Sequence, residues 1–147
     1  MNTDQDSTIW IQVKRNAVAL ISLVVALSTL SYSTWRNEKS EDNRNHRQAA
    51  FEILLKLNEF QQVVFHRRYD HDLTDKGNPR LGWAYVLTIR DLSQVLNGPL
   101  PERVDKFVLV WGDNWAELGD KQENVDLVLA SIDDMREETL SLLRSLE

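Results

Sequence analysis

The stretch NAVALISLVVALSTLSYSTW, residues 16–35, carries no charge and is bracketed by Lys14 and Arg15 before it and by Arg36 and Lys39 after it. At about 1.5 Å of rise per residue it spans roughly 30 Å as a helix, the thickness of a bilayer's hydrocarbon core. Trp10, Tyr32 and Trp35 lie near its ends, where amphipathic rings prefer the headgroup level. With Lys14, Arg15 and Arg36 they form the expected membrane-interface set. Ser22, Ser28, Thr29, Ser31, Ser33 and Thr34 dilute the run, but a hydroxyl bonded to the carbonyl one turn back is tolerated in lipid. A buried core helix of this length would need a polar stripe, and no charged one exists here. A cleaved signal peptide would need an A-x-A-like site near Ser31–Thr34, and none is present. The run therefore predicts an uncleaved transmembrane helix.

Outward from the span, Arg36, Lys39, Arg44 and Arg47 outnumber Lys14 and Arg15, which favours a cytoplasmic C-terminal part by the positive-inside count, while a basic pair directly before an apolar run also suits an anchor that exports its C-terminal domain. The localisation predicted is a cell (inner) membrane, crossed once. Within the span, Ala19, Ser22, Ala26, Thr29 and Ser33 form a stripe of small side chains on which two such helices can approach closely. A homodimer through that stripe is an expectation, although the span holds no G-x-x-x-G. The chain divides into an N-terminal tail (1–15), the transmembrane helix (16–35), a charged juxtamembrane collar (36–48) and a helical domain (49–147).

Everything in that domain reads as helical. Ala50, Ile53, Leu54, Leu57, Phe60 and Val64 recur at helical spacing. No Gly or Pro separates Asn16 from Lys76, so the membrane helix is expected to continue into this one. Asp70–Asn78 reads as a loop. Asn78 caps a second helix with Pro79 in its first turn, ending near Asn97 and Gly98, with a stripe of Leu81, Tyr85, Ile89, Leu92 and Leu96. Asn97–Pro101 leads into a third helix whose apolar face is Val104, Phe107, Val108, Trp111, Trp115 and Leu118. Gly112, Asp113 and Asn114 weaken it. Gly119 closes it, and Asp120 with Glu123 resembles a capping box for a fourth helix. There Val125, Val128, Ile132, Met135, Thr139, Leu142 and Leu146 follow a heptad seam. Short links make neighbouring helices antiparallel. The predicted fold is all-α: one N-terminal transmembrane helix continuing into a small up-and-down helical bundle.

Charge and motifs exclude more than they assign. From Gln48 onward, eleven Lys and Arg face eighteen Asp and Glu, an acidic balance that repels phosphate backbones and argues against nucleic-acid binding. The chain has no Cys, no G-x-S-x-G, no Gly-rich phosphate loop and no H-E-x-x-H, so no catalytic residue and no cofactor is implied. Asp70, His71 and Asp72, with His66 and Asp75, are the nearest thing to a metal cluster. Adjacent residues do not easily converge on one ion, and Asp-rich loops are ordinary turn material, so no metal site is assigned. Trp83, Trp111 and Trp115 are first read as core, and alternatively as the walls of a groove with Arg80 or Arg90 at its mouth.

Tyr32–Glu38 with Asn43-Arg44-Asn45, and later Asn78–Trp83, resembles bacterial single-pass membrane proteins of uncharacterised function. That resemblance implies a bacterial envelope location and brings no activity, ligand or catalytic residue. The function expected is a membrane-anchored interaction or assembly module, not an enzyme, with the lipid bilayer and a protein as partners. The alternative is a small sensor-like domain binding a ligand between its helices.

Overall fold

A computed structural model describes the backbone of residues 3–146 and the side chains of residues 11, 12 and 14–146. All regular structure among them is helical: α1 (Thr3–Tyr69), α2 (Pro79–Ser93), α3 (Leu100–Asn114) with a 3-10 turn at Trp115–Glu117, and α4 (Gln122–Ser145). The chain forms two units that divide between Asp42 and Asn43, inside the charged collar. In the first unit the apolar run leaves its described large side chains in the open: Val18, Ile21, Val24, Leu27 and Leu30 are all more than half exposed.

In the second unit, the end of α1 and helices α2 to α4 enclose one core. Ile53, Leu57, Phe60 and Val64 of α1 meet Val86 and Ile89 of α2, Val104, Phe107 and Trp111 of α3, and Val125, Val128, Ile132 and Met135 of α4. Neighbours run antiparallel. Arg68 donates to the Gly119 carbonyl at 2.7 Å at one end of α4, while Arg136 donates to Gln61 at 2.8 Å further along. Arg103 of α3 pairs with Asp134 of α4 at 2.8 Å, and Asn124 reaches back to the Asn114 carbonyl at 3.4 Å.

The centre of this core is Trp111, 1% exposed. Phe60 meets it edge-on at 4.8 Å and 83°, and Trp83 at 6.2 Å and 67°. Its ring lies on α2 where Gly82 has no side chain, since a Cβ there would sit 2.5 Å from Trp111 Cζ2. The indole N–H is buried without a hydrogen-bond partner. Such a loss costs about 1–3 kcal/mol, which the ring contacts have to exceed.

That packing moves the buried stripe of α2. The inward residues are Gly82, Val86, Ile89 and Ser93; of the expected Leu81, Tyr85, Ile89, Leu92, Leu96 row only Ile89 and Leu96 are buried. Leu81 is 36% exposed, and Tyr85 and Leu92 are half-buried. A row chosen by side-chain size misses Gly82, because its contribution is the space it leaves. Asn78 does cap α2, its Oδ1 accepting from the Arg80 N–H at 2.9 Å, with Pro79 following. The helix ends earlier than Asn97: it loosens after Ser93 into three-residue turns, and Leu96 remains buried beyond them. Gly98 then takes a left-handed φ of 90°, which glycine supplies without strain.

The fourth helix has no capping box at Asp120: its N-cap is Lys121, with no side-chain cap bond. The backbone N–H groups of Asp120 and Lys121 bond instead to the Glu117 carbonyl, and Arg68 ties the Gly119 carbonyl to α1. The α4 seam also drifts. It runs Val125, Val128, Ile132, Met135, Thr139 and then Leu143, leaving Leu142 and Leu146 half-buried. A straight helix of 3.6 residues per turn falls behind a strict seven-residue repeat, so the last step is four residues.

Candidate functional site

In the first unit, the apolar window within Lys14–Tyr69 has a mean hydropathy of 1.8, and none of it is buried. Lys14 and Arg15 are exposed before it, and Arg36 and Lys39 after it. Tyr32 and Trp35 lie together at its C-terminal end, ring centroids 6.1 Å apart, and Lys39 Nζ sits 5.5 Å from the Trp35 ring. The Trp10 side chain lies outside the described residues. Thr29 donates to the Val25 carbonyl at 2.8 Å, so this hydroxyl is satisfied within its own helix. Ala19, Ser22, Ala26, Thr29 and Ser33 are all exposed.

The tryptophans separate. Trp111 is sealed in the core, Trp83 is half-buried against it, and Trp115 is 36% exposed. Trp115 leaves the Trp111 face because the chain tightens into the 3-10 turn at that residue. Neither of two grooves in the second unit uses these rings. One, of about 140 Å³, lies between α1 and α2 and is lined by Glu59, Gln62, Val63, His66, Lys76, Leu81 and Tyr85. The other, of about 380 Å³, is lined by Asn45, Gln48, Ala49, Glu52 and Leu92.

The Asp-rich loop is organised around its own backbone. Asp72 accepts from the N–H groups of Thr74 and Asp75 through Oδ1 at 2.9 and 3.0 Å, and from Gly77 through Oδ2 at 3.1 Å. The bonds from Asp75, Thr74 and Gly77 hold its carboxyl down at about 2, below the ordinary 3.8. His66 Nδ1 and Asp70 Oδ2 are 2.5 Å apart. Among the described residues, no three His, Cys, Asp or Glu side chains converge as a metal site.

One surface had no place in the sequence reading. Phe51, Leu55 and Tyr69 are more than half exposed on the side of α1 turned away from the core, with Phe65 at 38%. The signal was present as a second apolar row on a helix whose first row was already assigned. No family model, no curated protein and no solved structure matches this chain.

Proposed function

We propose that this chain is a membrane-anchored helical interaction or assembly module. Residues 16–35 cross the bilayer once, and the acidic helical domain faces the cytoplasm. The observation that carries the reading is the apolar helix of the first unit, whose large side chains are left uncovered among the described residues. Leaving such a row in water is unfavourable by about 25 cal/mol per Å² of apolar surface, and hydrocarbon removes that cost. Exposed bases and the Tyr32–Trp35–Lys39 cluster at its ends suit the headgroup layer. The excess of Arg36, Lys39, Arg44 and Arg47 over Lys14 and Arg15 sets the orientation. We assign the module no reaction.

Alkaline extraction of membranes from expressing cells tests the anchor. The full chain is expected to stay in the pellet, and its N-terminal sequence to begin ahead of residue 16. Release into the supernatant, or a mature chain beginning near Ser33, would remove the anchor. A reporter fused after Glu147, active on one side of the membrane only, checks the orientation.

A further inference from the structure

The end of α1 carries two rows of residues, and the core uses one of them. Ala50, Ile53, Leu57, Phe60 and Val64 are buried. Phe51, Leu55, Asn58, Gln62, Phe65 and Tyr69 are exposed, at alternating steps of four and three residues. None of the six is charged, in a domain where acids outnumber bases by eighteen to eleven.

The geometry points to a parallel coiled coil formed by this face of α1 and the same face of a second copy of the chain. Steps of four and three are the spacing that another helix reads, each side chain entering a hole between four residues opposite. With Phe51 at d and Leu55 at a, the apolar layers are Phe51, Leu55, Phe65 and Tyr69. Asn58 and Gln62 form two amide layers between them. An amide carries both donors and an acceptor, so identical amides in register satisfy one another, and a slipped register buries them unpaired. Asn58 is already held in place, its Oδ1 accepting from Arg136 Nη2 at 3.1 Å.

Charge decides the direction. Glu52, Glu59 and His66 occupy the e positions, and Arg47, Leu54, Gln61 and Arg68 the g positions. A parallel pair sets Arg47 of one copy beside Glu52 of the other, an attractive g–e contact. An antiparallel pair centred on the amide layers loses that contact and brings together the two Glu59 carboxylates, each held by Lys56 of its own helix at 2.8 Å. Two copies anchored in one membrane by the same N-terminal helix, by contrast, are already aligned in parallel. The seam is short and half polar at its middle, so its association is weak in free solution. The proposal rests on the anchored reading in this respect: two copies confined to one membrane meet at a high effective concentration and already point the same way.

The chain has no cysteine, so single introduced cysteines report the contact cleanly. Full-length Leu55→Cys, Asn58→Cys and Gln62→Cys, each expressed alone and oxidised mildly in native membranes, are expected to give disulfide-linked dimers on non-reducing gels. Leu109→Cys and Leu127→Cys, exposed on α3 and α4, are expected to stay monomeric. Adding Phe65→Asp to the Asn58→Cys chain is expected to abolish its dimer band. Equal bands at all five positions, or none at the seam, overturn the proposal. So does crosslinking of mixed Leu55→Cys and Phe65→Cys chains without same-site dimers, which is the antiparallel pattern. Alkaline extraction of the same samples separates the two readings. A chain that pellets yet crosslinks only through Ser22→Cys loses the seam and keeps the anchor; seam dimers in the soluble fraction keep the seam and lose the anchor.

Discussion

Asp72 shows how a single carboxylate can organise a loop. Three backbone N–H groups bond to its two oxygens, and they hold its carboxyl at about 2. In an unfolded chain the group titrates near 3.8. A depressed carboxyl stabilises the fold fully above the unfolded value and loses that contribution as the pH falls through the folded one. The window for this loop is therefore about pH 4 down to about pH 2. Asp72→Asn keeps an acceptor for Thr74 and Asp75, loses the one at Gly77, and has no proton to take up. Its melting temperature, followed by circular dichroism, is expected to be lower than that of the parent above pH 4. It is also expected to fall less steeply across the acid window. A parallel decline in both proteins would show that these bonds do not couple the loop to folding.

The helices differ in how much of their packing the sequence discloses. Runs of large apolar residues located all four helices, and Asn78-Pro79 marked the start of α2 because the cap is a local interaction between neighbours. Which face turns inward depends on the opposing helix, and there the reading by size failed. Gly82 is the pivot of the α2 face because the Trp111 ring occupies the place of its side chain. Gly112, by contrast, has room: a Cβ there would meet the Trp83 ring at 3.7 Å, an ordinary contact. Opposite effects are expected from the same substitution. Gly82→Ala must push the ring or the helix aside and should cost about 1–3 kcal/mol. Gly112→Ala lowers the freedom of the unfolded chain in a helical position and should add about 0.5–1 kcal/mol. Urea denaturation followed by tryptophan emission measures both, and a loss at Gly112 would mean that α3 needs its glycine to turn toward Trp115. The candidate surfaces follow the same division. The run 16–35 was legible because composition alone defines it, whereas the Phe51–Tyr69 row was hidden beside a core row on the same helix.

On the scale of the whole chain, the decisive contrast is between an apolar run that buries none of its described large side chains and an acidic domain with its own core. Val24 and Val25 are 60% and 59% exposed near the middle of the run. Placing a charge there separates the two environments such a helix can occupy. In water, Arg replacing an exposed Val costs little, and the distribution of the chain between membrane and soluble fractions stays as it was. In hydrocarbon, each Arg near the centre of a span costs about 2.5–3.5 kcal/mol on insertion scales. The double variant Val24→Arg, Val25→Arg is then expected to move most of the protein from the alkali-resistant pellet into the supernatant. The domain should remain folded there, since none of its core residues lies before Ala49. Leu109→Arg, an exposed position outside the span, is the matching control and should leave the chain in the pellet. If the double variant and this control fractionate alike, the exposed apolar helix is covered by something other than lipid.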